Sequence, residues 1–337
     1  MKLRDYVLRR FLVLPLLIVV ATIVVFSLIR VGGSPIASYI EPGMSPEEVQ
    51  RVEERLGADK PLPVQYFAWV NGVLHGDLGW SSTSNAPVAD VFLKKATATF
   101  ELAILAAVLA VAAGIAAGTF AARHRNRWPD HLTRVLAVSG ASMPTFWFGL
   151  MVLTIFWAGL NWFPVGRSDP TIWSTMNHPT GFYTVDALLA GSWTAFRDAI
   201  WHVILPALVL GYTATAIIAR MMRTAMVEEL KRDYVDAARA KGLPERVVVR
   251  SHVRRNALIP TITVIGLLFG TLIEGAVVVE IIFQWPGLGS WLAEAVLNGD
   301  QASTMAFVLF AAVLFLVLNL VVDVMYAHFD RRVELGD

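Results

Sequence analysis

The sequence contains no cysteine, which excludes disulfides, thiolate nucleophiles and cysteine-ligated metals. It is also poor in charge. Asp, Glu, Lys and Arg make up 16% of its 337 residues, where a water-soluble domain carries roughly a quarter. No GxxxxGK[ST] phosphate loop occurs, so no ATP site of that kind is expected in this chain. The glycine-rich GDLGWSST that begins at Gly76 lacks the lysine. There is no GxSxG elbow and no HExxH pair. An intramembrane aspartyl protease needs two facing aspartates, and Asp323 is the only clear aspartate inside an apolar run. The seven histidines are scattered without close ligand spacing, so nothing argues for a metal. A transporter or channel is expected rather than an enzyme, with no cofactor of its own.

What the sequence has in abundance is apolar residues, 56% of the chain, gathered into long runs separated by short basic stretches. A bilayer core of about 30 Å takes roughly 20 helical residues to cross. Six segments meet that length: Phe11–Ile29, Ala98–Ala122, Leu136–Leu160, His202–Ala219, Leu258–Phe283 and Thr304–Ala327. The first exceeds a signal-peptide core and has no clean small-residue cleavage site after it, so an uncleaved span is expected. Pro206 stands near the beginning of the fourth segment, where a missing backbone donor does least harm. Glu274 and Glu280 interrupt the fifth, and Asp323 the sixth. The expected fold is therefore all-α, a bundle of six transmembrane helices in a membrane-embedded chain.

Basic residues orient the loops. Lys2, Arg4, Arg9 and Arg10 precede the first span, and Arg123, Arg125, Arg127 and Arg134 follow the second. Ten more lie between Arg220 and Arg255, and Arg331 and Arg332 close the chain. By the positive-inside rule both termini are cytoplasmic, as an even number of spans requires. This divides the chain into residues 1–30 (tail and first span), an extracytoplasmic segment 31–97, a five-helix core 98–327 holding the cytoplasmic loop 220–257, and a tail 328–337. Within 31–97, SPEEVQRVEERLG predicts a helix, with Ser45 as cap, Pro46 in the first turn and acids after it. Residues 161–201 hold Trp162, Trp173, Trp193 and Trp201, an interfacial aromatic pattern. Residues 284–303 contain no basic residue.

The 220–257 loop contains EELKRDYVDAARAKGLPERVVVRSHVRRNALIP. It predicts one short helix through Tyr234, Ala237 and Ala238, ended by a left-handed cap at Gly242. Pro244 then suits the first turn of a second helix that leads into the fifth span. A positive-inside linker with helical propensity is the plainer reading. The adjacent Ala237 and Ala238 suggest a flat patch that a partner could approach closely.

Asp236-Ala237-Ala238, Gly242 after three residues, and Ile259-Pro260 together resemble the EAA loop of ATP-binding-cassette importer permeases, with Asp in place of Glu at its first position. The longer strings DYVDAARAKGL and RNALIP resemble the dipeptide/oligopeptide/nickel permease family. LGADKPLPVQYFAWVNGVLHGDLG, ATFELAIL, the FxWPGLG of Phe283–Gly289 and NLVVDVMY resemble it too, so nearly the whole chain is covered. One departure is GGSP after the first span, where Ser34 takes the place of an aspartate. The resemblance implies type I importer architecture in the inner (plasma) membrane of a prokaryote. It implies a second homologous permease, two cytoplasmic ATPase subunits that bind ATP and Mg, and an extracytoplasmic substrate-binding protein. It gives the ATPase contact to Tyr234, Asp236, Ala237, Ala238, Lys241, Gly242 and Leu243. Di- or oligopeptide cargo is expected, with nickel chelates, glutathione or oligosaccharides as alternatives. No nucleic-acid partner is expected.

Three residues are expected at a translocation path or gate: Glu274, Glu280 and Trp285. A mid-span carboxylate such as Glu274 must face protein or water, and internal pairing and a place on the substrate path are both open to it. Glu280 lies close to the outer surface and the WPGLG turn, and reads as a gate or a loop anchor. Asn319 and Asp323, four residues apart with Tyr326 nearby, fit interhelical hydrogen bonding. A channel or ion-coupled transporter, the rival reading, would use Glu274 and Asp323 as ion sites, and leaves the DAA-x3-G loop unexplained.

Overall fold

In an apolar surrounding each backbone N–H and C=O must find its partner within the protein, and the apolar runs meet that need as helices. The computed structural model describes residues 3–31, 44–174 and 176–329. The described chain opens with α1 (Leu3–Val31), α2 (Pro46–Leu56) and α3 (Leu62–Leu74). A two-stranded antiparallel hairpin follows, β1 (Trp80–Ser81) and β2 (Ala86–Pro87), with Trp80 opposite Pro87. Next come α4 (Val88–Arg123), α5 (Trp128–Ser142) and α6 (Thr145–Leu153), the last prolonged by a π-helical turn over Thr154–Gly159. Two short helices, α7 (Pro170–Trp173) and α8 (Tyr183–Leu189), precede the long α9 (Trp193–Glu229). After α10 (Asp233–Ala240), α11 (Glu245–Val247) runs through a π-helical turn at Val248–Val253 into α12 (Arg254–Phe283). The chain ends in α13 (Leu288–Leu297) and α14 (Gln301–Phe329).

Among the described residues four helices are long and apolar enough to span a membrane: Val88–Arg123, Trp193–Glu229, Glu245–Phe283 and Gln301–Leu320. Over the third expected span the chain is bent instead, α5 and α6 meeting at 107°. Pro144 accounts for the break. It offers no N–H and forces Met143 into extended backbone (φ −79°, ψ 129°). The first expected span is helical, but its described apolar stretch, Leu12–Ser27, falls short of spanning length. The fourth differs from expectation at its start. α9 begins at Trp193, so Pro206 lies in the helix interior, and the last part of the 161–201 segment is helical rather than loop. The fold is helical as expected, with the hairpin as an addition. The motif GGSP, residues 330–337 and the side chains of Asp323 and Tyr326 lie outside the described residues.

The chain divides into two compact units, one of residues 98–286 and one of residues 1–97 with 287–337. The middle unit thus ends at Pro286 rather than at residue 327, because α14 packs along α1. In the first unit Phe26 of α1 meets Tyr66 and Trp69 of α3, with ring centroids 5.5 and 6.0 Å apart. The expected cap of α2 is present. Ser45 and Glu48 form a reciprocal capping box, and Gly57 closes the helix at φ +64°. The GDLGWSST stretch forms the hairpin, and the hairpin is tied to the start of α14. Ser81 Oγ donates to Asp300 Oδ2 at 2.6 Å and the Thr83 amide at 3.1 Å, while Ser303 donates from its amide at 3.0 Å and its hydroxyl at 2.8 Å. Burial pushes the Asp300 carboxyl up, but these hydrogen bonds outweigh it and hold the group below its ordinary value.

In the second unit α9 is the central post. α4 lies against it through Gly114 and Gly118, the two glycines of GIAAG. A Cβ on Gly118 would stand 2.5 Å from the Ala219 carbonyl oxygen. Small residues at that spacing let helix backbones approach closely, the usual device where apolar burial alone does not favour association. α12 also packs against α9, with Leu272, Ala276, Val279 and Phe283 buried.

Candidate functional site

The 220–257 loop folds as a helix–turn–helix locked onto the ends of three longer helices. Val235 and Ala238 of α10 are buried with Val248, Val249 and Val253 beneath them. Met222, Ala225 and Met226 of α9, Ala122 of α4 and Ala257 of α12 complete the cluster. The turn is closed by Gly242 at φ +76°, whose amide donates to the Arg239 carbonyl at 2.9 Å. Only a residue without a Cβ penalty takes that conformation cheaply. Arg239 reaches over the turn and donates to both Glu245 carboxylate oxygens, at 3.1 and 2.9 Å, holding that carboxyl below its ordinary value. Pro244 stands just before α11 rather than in its first turn, and Glu245–Phe283 is continuous helix, as expected.

One expectation is corrected here. Ala237 and Ala238 do not form a common patch: Ala237 is exposed, whereas Ala238 is 7% exposed and faces the valine cluster. Val235 and Ala238, three residues apart, share the buried side of α10, and Ala237, about 100° round the helix from Ala238, falls outside it. Of the expected contact residues, Asp236, Ala237, Lys241, Gly242 and Leu243 are exposed, together with Arg239 and Ala240. Tyr234 stands beside it, its hydroxyl donating to Glu229 and accepting from Asn256 Nδ2 at 3.0 Å. Desolvation and the Glu229 carboxylate both raise the Tyr234 phenol.

An ion pair not foreseen from the sequence sits next to this cluster. Asp130 at the start of α5, its side chain fully buried, accepts from Arg223 of α9 at 2.5 and 2.8 Å, and from the Asn126 amide at 2.9 Å. The Arg223 guanidinium holds the Asp130 carboxyl well below the usual carboxylate range. The signal available in the sequence was an acid within a basic loop, but nothing local says which of the many arginines it meets.

The other end of the same unit is built of charge. Glu280 is fully buried and accepts from Thr99 Oγ1 of α4 at 2.6 Å; its backbone carbonyl accepts from the Trp285 amide at 2.8 Å. Trp285 is 1% exposed, and its indole Nε1 donates to the Ala98 carbonyl at 2.9 Å. Three residues away on α4, Glu101 accepts a fork from Arg167, Nε at 3.1 Å and Nη2 at 2.6 Å, and is also bonded by the Thr184 amide and hydroxyl. The same guanidinium lies 3.9 Å over the Tyr183 ring and 5.9 Å from the Trp285 ring. Glu280 and Trp285 therefore stand as anchors between α4 and the end of α12.

Glu274 is different. It is exposed midway along α12, and among the described residues no hydrogen bond or ion pair reaches its carboxylate. Asn319 is also exposed. Among the described residues no group of three or more potential ligands is placed to hold a metal ion.

Comparison with known proteins bears on all of this. Residues 114–335 match the family described as binding-protein-dependent transport system inner membrane component, and residues 3–105 match the N-terminal region of such a membrane component. The chain is 41% identical over 335 residues to the dipeptide transport system permease protein of Escherichia coli (strain K12), covering 98% of both chains. It is 40% identical to the probable D,D-dipeptide transport system permease protein of the same strain, covering 95% of each. Against the glutathione transport system permease protein of Escherichia coli O6:H1 identity is 37%, covering 98% of this chain and 99% of that one. With two family matches that together take in almost the whole length, this multi-pass chain belongs to the binding-protein-dependent transport system inner membrane components.

Proposed function

We propose that the chain is one of two permease subunits of an ATP-binding-cassette importer, and that with the second it forms the path for di- and oligopeptides by alternating access. The cargo reading rests on the printed function of its relatives, of which those named for dipeptides reach 41% identity and those named for glutathione 37%. In this reading six segments span the membrane, both termini and residues 220–257 are cytoplasmic, and an extracytoplasmic binding protein delivers the substrate. Two cytoplasmic ATPase subunits, one for each permease, bind ATP and Mg.

The observation that carries the reading is the build of the loop helix. Energy from a separate ATPase must enter through a rigid contact, and α10 is rigid because Val235 and Ala238 are sunk among the ends of α4, α9 and α12. What faces outward around it includes Ala237, Ala240, Lys241, Gly242 and Leu243, with Asp236 and Arg239. A push on that surface is carried into the continuous helix Glu245–Phe283. Glu280 and Trp285 would then hold the far end of α12 on α4 while the near end moves.

Gly242→Val and Ala237→Trp test this in vesicles reconstituted with the ATPase. Nothing stands within 4 Å of a Cβ on Gly242, so valine there strains the backbone alone, by about 1–2 kcal/mol. Both variants should insert and pair with the second permease, yet lose bound ATPase or substrate-stimulated hydrolysis, and with it transport. Full transport by both would sink the coupling role. Orientation is tested by single cysteines at Ser174, Asn126 and Ser251, all exposed, labelled in whole cells with an impermeant maleimide. Only Ser174→Cys should react; the opposite pattern would overturn the topology.

A further inference from the structure

The turn between α4 and α5 carries arginines whose one neighbouring acid is turned away from them. Residues 123–134 hold Arg123, Arg125, Arg127 and Arg134 and a single acid, Asp130. Asp130 is fully buried and forked by Arg223 of α9, so it neutralises nothing on the surface. Arg134 stands 3.9 Å from the same carboxylate and 2.7 Å from His131 Nδ1. Arg123 lies in the field of Glu245, a carboxylate that Arg239 already forks. Arg125 and Arg127 are exposed, and among the described residues no hydrogen bond or ion pair is found for either guanidinium. The backbone that carries them is fixed. Asn126 takes φ +61° and its amide donates to Asp130 Oδ2 at 2.9 Å, while the Arg127 amide donates to the His124 carbonyl at 3.0 Å. Two cations are thus held in place without a counter-charge.

An apolar stripe leads away from them along α5. At about 100° per residue, Trp128, Leu132 and Val135 fall within about 60° of one another on the helix. They are 73%, 48% and 65% exposed. The side of α5 that packs on α9 is the other one, with Asp130 on Arg223 and Gly140 against Ala216. Arginine forks bind phosphate oxygens, an indole favours the boundary between water and hydrocarbon, and an apolar stripe suits an acyl chain. Cation, indole and apolar side chains follow one another along one face, in the order of a phospholipid's own parts. An acidic protein surface would match the arginines but leave the stripe, which runs into the expected third span, uncovered. A zwitterionic headgroup would bring its own cation up to the two arginines, so the charge favours an anionic one.

We infer that Arg125 and Arg127, with Trp128, Leu132 and Val135, form a binding site for an anionic phospholipid of the inner leaflet, the arginines on its phosphate and the stripe along an acyl chain. The leaflet rests on the topology proposed above; the site itself rests on the turn and the stripe.

The test uses the assembled transporter in vesicles of equal parts phosphatidylglycerol and phosphatidylcholine. Photoactivatable benzoylphenylalanine takes the place of Leu132, or of Val108, which is exposed on α4, as the control. Lipid adducts at position 132 should favour phosphatidylglycerol at least about fivefold, the scale of one basic residue near an anionic surface, and those at 108 should follow the bulk ratio. Arg125→Gln with Arg127→Gln should return position 132 to the bulk ratio, with the ATPase and the second permease recovered at the parent level. Arg125→Lys with Arg127→Lys keeps the charge and should keep most of the preference. The bulk ratio at 132 in the parent overturns the site, and retention of inorganic phosphate by that same complex would show a free-anion site instead. Adducts at 132 only with a protein, or loss of the ATPase in the glutamine variant, would show a protein contact and overturn it too. The topology fails separately: Asn126→Cys labelled from outside whole cells removes the inner leaflet, while a missing preference with Asn126→Cys shielded removes only the lipid site.

Discussion

The two ends of the unit 98–286 solve the problem of joining helices in opposite ways. At the loop end, α10 is held by small apolar side chains, a cluster of valine, alanine and methionine under one exposed alanine. At the other end, α4, α12 and the 161–192 segment are held by buried charge and directed hydrogen bonds, Glu101 to Arg167, Glu280 to Thr99 and the Trp285 indole to Ala98. Apolar contacts are non-directional and tolerate small shifts. A buried carboxylate is costly unless its partners stay in place, so the charged end resists displacement. The difference teaches that one end of α12 is held by contacts that tolerate displacement and the other by contacts that resist it.

The sharpest way to break this comparison is at the charged end. Arg167→Met leaves Glu101 buried without its cation, and loss of one partner of a buried pair costs about 3–5 kcal/mol. Thermal unfolding in detergent should show a large fall in Tm, with Glu101→Gln added to Arg167→Met recovering much of it. A Tm unchanged by Arg167→Met would remove the claim that charge holds this end.

At the loop end, neighbouring alanines should behave differently. Ala238→Trp forces an indole into a filled cluster and should cost about 1–3 kcal/mol or more. Ala237→Trp should change stability by less than about 0.5 kcal/mol, as exposed substitutions do, while abolishing stimulated ATP hydrolysis. Equal Tm shifts for the two would contradict the inward and outward assignment. Next in size is Trp285→Phe, which keeps the ring but removes the bond to the Ala98 carbonyl. A drop of about 1 kcal/mol is expected, seen as a modest Tm shift.

The smallest expected effect is one of pH. Asp130 has a depressed folded pKa, so its contribution is fully present above the unfolded value of about 3.9 and is lost only as pH falls through the folded one. Between pH 8 and pH 5 the Tm difference between the parent and Asp130→Asn should stay constant. A difference that shrinks across that window would mean the carboxyl is not held ionised by Arg223.

Much of this was legible along the chain because the physics is local. An apolar run long enough for a bilayer, the Ser45 cap with Glu48 three residues on, and a glycine ending the α10 helix are each decided within a few residues. Pro144, which breaks the third expected span, obeys a local rule too, and could have been used to foresee the bend. GIAAG likewise announced a close helix approach. Pro206 went the other way. Local rules favour proline in a first turn, but the packing of α9 extends the helix well before it.

The sequence by itself determined the membrane class, the helical segments and the family, because hydropathy, caps and motif strings are written in consecutive residues. Only the tertiary structure decided which side of each helix is used. It turned Ala238 inward and left Ala237 out, buried Glu280 and Trp285 as anchors, and left Glu274 on an open face. It also chose Arg167 for Glu101, 66 residues apart, and Arg223 for Asp130, 93 apart. The reason is that a buried charge needs one partner at hydrogen-bond distance, and distance in space is set by packing rather than by position in the chain.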